Sequence, residues 1–458
     1  MTRTVKDHIA ARLTETRERT LGMLAPLTEN VLCAQHSPLM SPLLWDLAHI
    51  GNYEDQWLLR ALGSEGVGSA YDDLYDAFRH PRRSRSELAL LTPSETLAYN
   101  SAVREQTLRL LSSVELDQSR LTMDGFVYGM VIQHEQQHAE TMLATIQLAD
   151  LRFPPAQRTL LARVPTMSAP TPTPTPSPAF LSPAFLSPEV FVPGGRFRMG
   201  SDTSPWAYDN EGGAHEIDVA PFWIDATAVT NEAYAQFVAD GGYDDERLWT
   251  ATGWAWRCEA QLSRPEFWTP GTDAAEGNSV GWLRNRFGWI EPVPPEEPVQ
   301  HVCWYEADAF TRWAGRRLPT EAEWEKAACW SPSSNASHTF PWGEAAPSAD
   351  LADLAMLGSE RFGPAPVRAF PAGASPCGAL GMVGGVWEWT ASDFTVYPGF
   401  EAFPYKEYSQ VFFGTDYKVL RGGSWATAPD AIRGTFRNWD YPIRRQIFAG
   451  FRSARNGS

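Results

Sequence analysis

Cysteine is scarce in this sequence, and its thiols lie far apart. The 458 residues include five cysteines, Cys33, Cys258, Cys303, Cys329 and Cys377. No two of them have the CxxC spacing of a zinc ribbon, and an odd number in a long chain does not indicate a disulfide framework. We therefore expect reduced thiols, most of them buried.

Long apolar runs and an excess of positive charge are also lacking. Nowhere do about 18 uncharged apolar residues follow one another, and residues 1–12 are charged, without the apolar core of a signal peptide. The 38 basic and 55 acidic residues give a formal charge of -17, which argues against sequence-independent binding to nucleic acid or an anionic membrane. We expect a cytoplasmic protein with small-molecule partners, and the sequence leaves its oligomeric state open.

The length and the distribution of residue types predict two domains. A chain of 458 residues exceeds the size at which one hydrophobic core keeps growing. From residue 4 to about 156, Leu and Ala recur at three- and four-residue spacing among strong helix formers, which predicts four long helices in a bundle. The Thr-Pro alternation at 165–188 excludes a helix or a central strand, because proline lacks the amide donor.

The sequence changes character after this proline-rich stretch. Beyond Glu189, short β-rich pieces alternate with turns, and nearly all of the Trp lies there. One amphipathic helix is predicted at 319–329, with Thr320 and Glu323 as a capping box. The predicted fold class is α+β multidomain, with a helical bundle at 1–160, a linker at 161–188 and a loop-rich domain at 189–458.

The most specific motif is His134-Glu135-Gln136-Gln137-His138. Two histidines four apart project from one face of a helix and can bind one metal ion. The motif also matches the HExxH pattern of zinc proteases, in which Glu135 would be the general base. The metzincin continuation is absent, and Glu140 points away from the ligand face, so an HExxH zinc hydrolase is a remote alternative.

A third histidine is a candidate ligand. His49 ends the string Trp45-Asp46-Leu47-Ala48-His49 on an apolar helical face, and it can join the other two if the two helices are neighbours. Taken by itself, His49 is more often a core histidine. Three neutral imidazoles on one side of a metal leave positions open for substrate and dioxygen, as non-haem iron chemistry requires, although three histidines also bind zinc.

The second half of the chain resembles the formylglycine-generating-enzyme and sulfatase-modifying-factor family. Six strings carry the resemblance in order, at residues 192–200, 229–234, 317–325, 385–390, 421–425 and 450–452. The resemblance implies an irregular fold related to C-type lectins. The family's paired cysteines shortly after the string at 421–425 are missing here, so we expect the active site elsewhere, with the histidines of the first domain as candidates.

The whole chain resembles the ergothioneine-biosynthesis sulfoxide synthases, whose first half is a DinB-like four-helix bundle. The resemblance implies a mononuclear Fe(II) enzyme with His49, His134 and His138 as ligands. It implies that dioxygen is used to join the sulfur of γ-glutamylcysteine to the imidazole of hercynine, Nα-trimethylhistidine, giving a sulfoxide. Cysteine as donor, histidine as acceptor on an ovothiol-type path, and a lectin-like module that only binds remain alternatives.

The same resemblance suggests substrate-binding residues. Arg82 and Arg85 would clamp the glutamyl end of the donor, since guanidinium groups pair with carboxylates. Asp440 would take its ammonium group and Arg444 a carboxylate. Gln137 and Asn438 would hold hercynine, the acceptor. Tyr408 and Trp439 would make further contacts with the substrates.

Dioxygen chemistry at iron needs a proton donor, and a neutral phenol can donate at pH 7. The segment 397–408 supplies three tyrosines. We expect Tyr405 to be the catalytic donor, with Tyr397 as the second choice.

Overall fold

The computed structural model describes residues 5–151, 186–272, 279–345, 353–359 and 362–457. These residues form two compact units. The first contains the helices of the amino-terminal part together with Thr203–Trp206, and the second contains the other described residues from 186 onward. From the sequence, residues 203–206 were expected in the second domain, and the structure differs from that expectation. The predicted linker at 161–188 lies outside the described residues as far as residue 185.

The first unit is helical, as predicted. Its four long helices are joined by one short helix and by 3-10 and π-helical turns. The helices are α1 (Val5–Leu24), α2 (Glu29–Cys33), α3 (Leu43–Glu54), α4 (Pro93–Ser113) and α5 (Phe126–Leu148).

Helix α3 is the central element of this unit. All twelve of its residues are buried, and it packs against both α4 and α5. Gly51 on α3 faces Asn100 on α4, whose side-chain amide donates to the Leu47 carbonyl oxygen at 2.8 Å. The absence of a side chain at Gly51 therefore allows the close approach of the two helices.

Four buried charges tie the long helices together. Arg17 on α1 donates to Glu135 at 2.8 Å and to Glu54 at 3.0 Å, and Arg104 on α4 donates to Glu54 at 2.7 Å and to Glu135 at 3.2 Å. We call these four residues the charge network. Each member is less than a tenth exposed, so Glu135 is a structural carboxylate of the interior and not a surface group.

The segment Thr203–Trp206 is part of this unit through Trp206. The indole Nε1 donates to the Asp124 carbonyl oxygen at 3.2 Å, and the Trp206 carbonyl oxygen accepts from Gln133 Nε2 at 2.9 Å. The indole ring lies so close to Gly129 that a side chain there would overlap it. Among the described residues, no helix is long and apolar enough to cross a membrane.

The second unit has short strands and short helices. Its helices are α6 (Asn231–Ala239), α7 (Ala251–Glu259), α8 (Trp304–Trp313) and α9 (Glu321–Cys329). Helix α9 and its Thr320–Glu323 capping box agree with the prediction. The other three were not predicted, because helices of nine or ten residues show too few repeats of the apolar period.

The strands of the second unit form several small sheets. The order β1-β4-β14 places the first and last strands on either side of β4, and a second sheet has the order β12-β11-β10-β13. The remaining pairings are β2-β3, β5-β6-β7 and β8-β9. The strands are β1 (Glu189–Val192), β2 (Gly195–Met199), β3 (His215–Val219), β4 (Phe222–Asp225), β5 (Trp268–Thr272), β6 (Ser279–Arg286), β7 (Trp289–Pro292), β8 (Trp330–Ser331), β9 (Ala336–Ser337), β10 (Trp387–Asp393), β11 (Lys418–Arg421), β12 (Asn438–Asp440), β13 (Ala449–Gly450) and β14 (Ala454–Asn456).

The core of the second unit combines large aromatic rings with paired charges. Trp324, Trp389 and Trp425 are at most 1% exposed. Arg452 donates to Glu388 at 2.6 Å, and the same carboxylate accepts from the Trp324 indole at 2.7 Å. An interior with little regular structure contains polar groups that no helix or sheet pairs. Such ion pairs and hydrogen bonds satisfy them.

The prediction that most thiols are buried is wrong. All five cysteines are free, but only Cys303 and Cys329 are buried, while Cys33 and Cys258 are exposed and Cys377 is intermediate. Cys33 is the last residue of the short helix α2, and Cys258 is the last but one of α7.

Candidate metal centre

The three candidate ligands come together in the first unit. Helix α3 contributes His49, and the neighbouring α5 contributes His134 and His138. The Nε2 atoms of His49 and His134 are 3.2 Å apart, and one ring nitrogen from each of the three lies within 4.8 Å of the others. The predicted convergence of these histidines is confirmed.

Two of the three rings are held by a bond at their outer nitrogen. His49 Nδ1 lies 2.7 Å from the Tyr75 carbonyl oxygen, which can only accept, so this nitrogen carries the proton. His138 Nδ1 lies 3.2 Å from Asp46 Oδ1. Both contacts leave Nε2 as the nitrogen with a free lone pair, which is the form that a metal ion needs.

His134 is supported differently. Its ring stacks on Tyr53 with centroids 3.7 Å apart and planes at 13°. Its buried Nδ1 has no hydrogen-bond partner among the described residues. The three rings are therefore held by a carboxylate, a backbone carbonyl and an aromatic face.

Burial favours the neutral form of the two inner imidazoles. Desolvation lowers the pKa of His49 well below its ordinary value, and the neighbouring His138 lowers it further. The pKa of His134 is lowered for the same two reasons. His138 is the most open of the three candidate ligands, with a fifth of its side chain exposed.

The spacing of the nitrogens fits a transition-metal ion. Metal–imidazole bonds are about 2.1 Å long, so two nitrogens 3.2 Å apart would subtend roughly 100° at a shared ion. That angle suits both octahedral and tetrahedral sites. The donor set of three imidazoles is accepted by zinc, copper, nickel and iron, so it does not select among them.

Glu135 is not placed to act as a general base. Its two carboxylate oxygens accept from Arg17 and Arg104 in the charge network. A base needs a lone pair directed at the reacting proton, and both oxygens of Glu135 are directed at guanidinium groups. The geometry therefore disfavours the zinc hydrolase alternative.

The predicted donor clamp lies in a 3-10 helix, Arg82–Glu87. Arg82 is exposed and donates to the Leu39 carbonyl oxygen at 3.2 Å. Arg85 is only 4% exposed. It donates to the carbonyl oxygens of His80 and Ala77 and to Ser41 Oγ, at 2.7 to 3.0 Å.

Arg85 and Gln137 both lie close to ligand-bearing elements. The Arg85 guanidinium carbon is 3.6 Å from the centre of the Trp45 ring, and that ring stacks on His49 with centroids 4.7 Å apart. Gln137 precedes His138 on α5 and is half-buried.

The other predicted site residues belong to the second unit, and most of them cluster. Trp439 on β12 has its ring centre 5.9 Å from that of Tyr408, and Tyr405 lies 6.3 Å from Tyr408. Next to Trp439 along β12 are Asn438 and Asp440. Asp440 Oδ1 is 3.3 Å from Arg444 Nε.

Tyr397 is apart from this cluster, in the core. It is 6% exposed and its hydroxyl donates to Glu321 Oε1 at 3.4 Å. The Arg437 guanidinium lies 3.9 Å from its ring centre. Burial raises the pKa of Tyr397 well above its ordinary value, and Glu321 adds to this rise while Arg437 opposes it.

Sequence reasoning missed the groups that hold the histidines. Asp46 lies in the quoted string before His49, and its place one helical turn away was a usable signal. The Tyr75 carbonyl has no side-chain signature, so no sequence pattern identifies it. The Tyr53 ring lies one turn after His49 and was also detectable from its spacing.

Two family models match the chain. The DinB superfamily model matches residues 12–142, and the model of the sulfatase-modifying factor enzyme 1-like domain matches residues 182–457. These matches confirm the predicted fold class, a DinB-like helical domain followed by a domain of the formylglycine-generating-enzyme type.

Several curated proteins are similar to the chain. Proteins named hercynine oxygenase from Mycolicibacterium thermoresistibile and Mycolicibacterium smegmatis are 46% and 47% identical over 98% of this chain, which covers 95% and 99% of their lengths. A formylglycine-generating enzyme from Thermomonospora curvata is 36% identical over 44% of this chain and 70% of its own length.

Proposed function

The chain belongs to the hercynine oxygenase family and, over residues 182–457, to the sulfatase-modifying-factor family, and we propose that it attaches sulfur to hercynine in an oxygen-dependent reaction of ergothioneine biosynthesis. The observation that carries the proposal is the identity of 45–47% to relatives of that name over 98% of the chain. The shared name confirms the predicted class, an oxygen-dependent oxidoreductase.

We propose Fe(II) as the metal, held by His49, His134 and His138. The support is a set of imidazole ligands whose burial favours the neutral form. When bound, Fe(II) would supply the activation of dioxygen that carbon–sulfur bond formation and sulfur oxidation require. The carbonyl of Tyr75 and the carboxylate of Asp46 orient two of the rings toward the ion.

We propose γ-glutamylcysteine as the sulfur donor, with cysteine as the alternative. Asp440 and Arg444 form a half-buried pair of opposite charge, which can exchange its internal contact for the ammonium and carboxylate groups of an amino acid. Arg82 offers an exposed guanidinium for a further carboxylate. Arg85, also predicted for this role, is buried and donates to the carbonyl oxygens of His80 and Ala77 and to Ser41 Oγ.

For hercynine, we propose contacts with Gln137 and Asn438, and with the rings of Tyr408 and Trp439. Aromatic faces suit a quaternary ammonium group, because the cation interacts with the ring quadrupole. Histidine as acceptor, on an ovothiol-type path, is the alternative.

We propose Tyr405 as the proton donor. It is half-buried, whereas the hydroxyl of Tyr397 is bonded to Glu321 in the core. A phenol that already bonds an internal carboxylate is a support of the fold, and this favours Tyr405 over Tyr397.

The test is anaerobic loading with Fe(II), followed by oxygen uptake with hercynine and either γ-glutamylcysteine or cysteine. We expect a product with the mass of both substrates joined and oxygen added at sulfur. Oxygen uptake with only one thiol identifies the donor. Bound metal without uptake on either thiol would contradict the proposal and make histidine the next acceptor to test.

His134→Ala tests the ligand assignment. We expect loss of metal and of turnover, because one of three imidazoles is removed. The control is His36→Ala, which removes a histidine of the same unit that bonds the Val31 carbonyl oxygen outside the cluster. Retained metal and full turnover in His134→Ala would contradict the assignment.

A further inference from the structure

Asp209 binds the segment that carries Tyr405 at two points. Its Oδ2 accepts from the Phe403 backbone N–H at 3.2 Å, and its Oδ1 accepts from the Ser409 hydroxyl. These two partners lie on either side of Tyr405 in the sequence. We call residues 403–409 the tyrosine loop. One carboxylate therefore fastens this loop on both sides of the phenol that is proposed as proton donor.

The element that carries Asp209 is held by a buried ion pair. Asp209 is the first residue of the 3-10 helix Asp209–Glu211. Glu211, the last residue, is 0% exposed, and it accepts from Arg433 Nε at 2.7 Å and from Thr435 Oγ1 at 2.8 Å. Arg433 binds both carboxylate oxygens, and such forked pairs fix the geometry of the groups they join. The short helix is therefore a fixed support within the second unit.

The neighbours of Asp209 contact the same loop. The side-chain amide of Asn210 donates to Ser409 Oγ at 3.0 Å. The ring of Tyr208 stacks on that of Tyr408, with centroids 4.1 Å apart and planes at 19°. Asn210, Tyr208 and Ser409 are at most 3% exposed. Three consecutive residues therefore bind the tyrosine loop, and the contacts of Asp209 reach both of its ends.

We propose that Asp209 is a positioning residue for Tyr405: it holds the tyrosine loop at Phe403 and at Ser409, and so fixes the place of the phenol. The inference rests on the proposed function, in which Tyr405 is the proton donor. Such a donor has to lie within hydrogen-bond reach of its acceptor, and a misplacement of about 1 Å can cost about 100-fold in rate. Tyr405 lies outside the helices and strands, so its place depends on side-chain contacts of this kind.

The first test asks whether Asp209 holds the loop, and it uses no substrate. Lys406 follows Tyr405, and its side chain is two-thirds exposed, so trypsin can cleave there when the loop opens. For Asp209→Ala we expect this cleavage to become about 10- to 100-fold faster, because bonds to a charged group are lost and cleavage follows the population of the open form. Cleavage after Arg247, an exposed arginine of the same unit, is the internal control and should keep its rate. An unchanged rate after Lys406 would overturn the proposal.

The second test asks whether Asp209 acts through Tyr405. The kcat of the Fe(II)-loaded protein with hercynine and the thiol is measured for Asp209→Ala, for Tyr405→Phe and for the double variant. We expect Asp209→Ala to lower kcat about 10- to 100-fold when Tyr405 is present. In the Tyr405→Phe background it should change kcat by less than about 2-fold, since the donor is already lost.

The double variant remains measurable, because a general acid contributes about 100- to 10,000-fold and its removal leaves residual turnover. A purely structural role of Asp209 lowers kcat by the same factor in both backgrounds. That result would contradict the positioning role.

Asp209→Asn is the conservative variant. Its side-chain oxygen can accept from the Phe403 amide, and its amino group can donate to the Ser409 oxygen. Because charged hydrogen bonds are roughly twice as strong as neutral ones, we expect partial recovery of both loop protection and kcat relative to Asp209→Ala. Protection and kcat that do not change together across these two variants would contradict the proposal.

If Asp209→Ala does not fold, Asp209→Asn takes its place in both tests. We then expect faster cleavage after Lys406 and a lower kcat, each by about 3- to 10-fold, and wild-type values of both would overturn the proposal. The matched control is Asp244→Ala, which removes an exposed carboxylate of the same unit that pairs with Arg257. It should behave as the wild type in both measurements.

Failure of the proposed function has a different result. It is seen as wild-type kcat in Tyr405→Phe or as no product with either thiol, and it leaves the trypsin result intact. Failure of the positioning role is seen as an impaired Tyr405→Phe enzyme beside an Asp209→Ala protein with unchanged cleavage or unchanged kcat.

Discussion

At the scale of residues, neighbouring side chains on α5 have opposite tasks. His134 belongs to the cluster of three histidines, while Glu135 joins the charge network that connects four helices. The histidine spacing was visible in the sequence because both ligands lie on one helix. The partners of Glu135 were not, since they are 118 and 31 residues away along the chain and no local pattern links them.

We predict that Glu135→Gln destabilises the bundle and spares metal binding. The change leaves Arg17 and Arg104 with Glu54 as their remaining carboxylate, and breaking a buried network of this kind costs about 3 to 5 kcal/mol. The free energy of unfolding should be measured with urea, and the metal content should be determined in parallel.

The matched control is Glu105→Gln, since Glu105 pairs with Arg109 on the exposed face of α4 and should cost less than about 1 kcal/mol. An unchanged stability of Glu135→Gln, together with loss of a peptide-hydrolysing activity, would instead support the zinc hydrolase alternative.

At the scale of elements, the long helices were predictable and the short ones were not. Helices α1, α4 and α5 repeat the apolar period five or six times over 20 to 23 residues. Helices α6 and α7 have nine residues, and their start signals, Thr230 and Thr250, are also common in turns. The full burial of α3 could not be inferred, because it depends on which helices surround it.

We predict that Gly51→Ala destabilises the first unit. A Cβ atom there would overlap the Asn100 amide, which cannot swing away without losing its bond to the Leu47 carbonyl oxygen. Overpacking of this kind costs about 1 to 3 kcal/mol, and displacement of α3 should also weaken metal binding through His49. Thermal unfolding and chelator competition measure the two effects.

Gly22→Ala is the opposite case. Gly22 lies in α1, and an added Cβ would meet nothing within 4 Å. This change should stabilise the protein by about 0.5 to 1 kcal/mol. Equal effects of the two alanine substitutions would show that the close approach at Gly51 has no energetic consequence.

At the scale of the whole molecule, two buried carboxylates, one in each unit, respond to acid in opposite ways. Burial alone would raise the pKa of Glu54, but Arg104 and Arg17 outweigh it and the pKa is lowered. In the second unit, burial raises the pKa of Asp225 to about 6, in spite of Arg316 and Ser453. A lowered pKa means that the folded form binds the proton less readily, and a raised pKa means the reverse.

We predict that Glu54 contributes stability above pH 4.5, its ordinary pKa, and loses this contribution as the pH falls through the lower value of the folded state. The contribution of Asp225 has the opposite sign, since it is lost as the pH rises from 3.8 toward about 6. Thermal unfolding of the wild type and of Glu54→Gln should be compared across this range. The gap in Tm should narrow below pH 4.5, and a constant gap would contradict the assignment.

The overall architecture was predictable to the extent that the chain resembles known families. The strings at 192–200 and 421–425 identified the second domain. Most of its strands are too short to show an alternating apolar pattern. The family models confirm this inference. The attachment of Thr203–Trp206 to the first unit was not predictable, because four residues carry no periodic signal.

Trp206 has a consequence for how the two parts of this chain can be inherited or engineered. A bundle produced from residues 5–151 would lack the indole that covers Gly129 and the carbonyl that accepts from Gln133, the residue directly before His134. The helices of residues 5–151 alone therefore do not make up the complete first unit. A chimaera that exchanges one unit between relatives has to keep Thr203–Trp206 together with the helices of the first unit. In the sequence, however, this segment lies within the second domain.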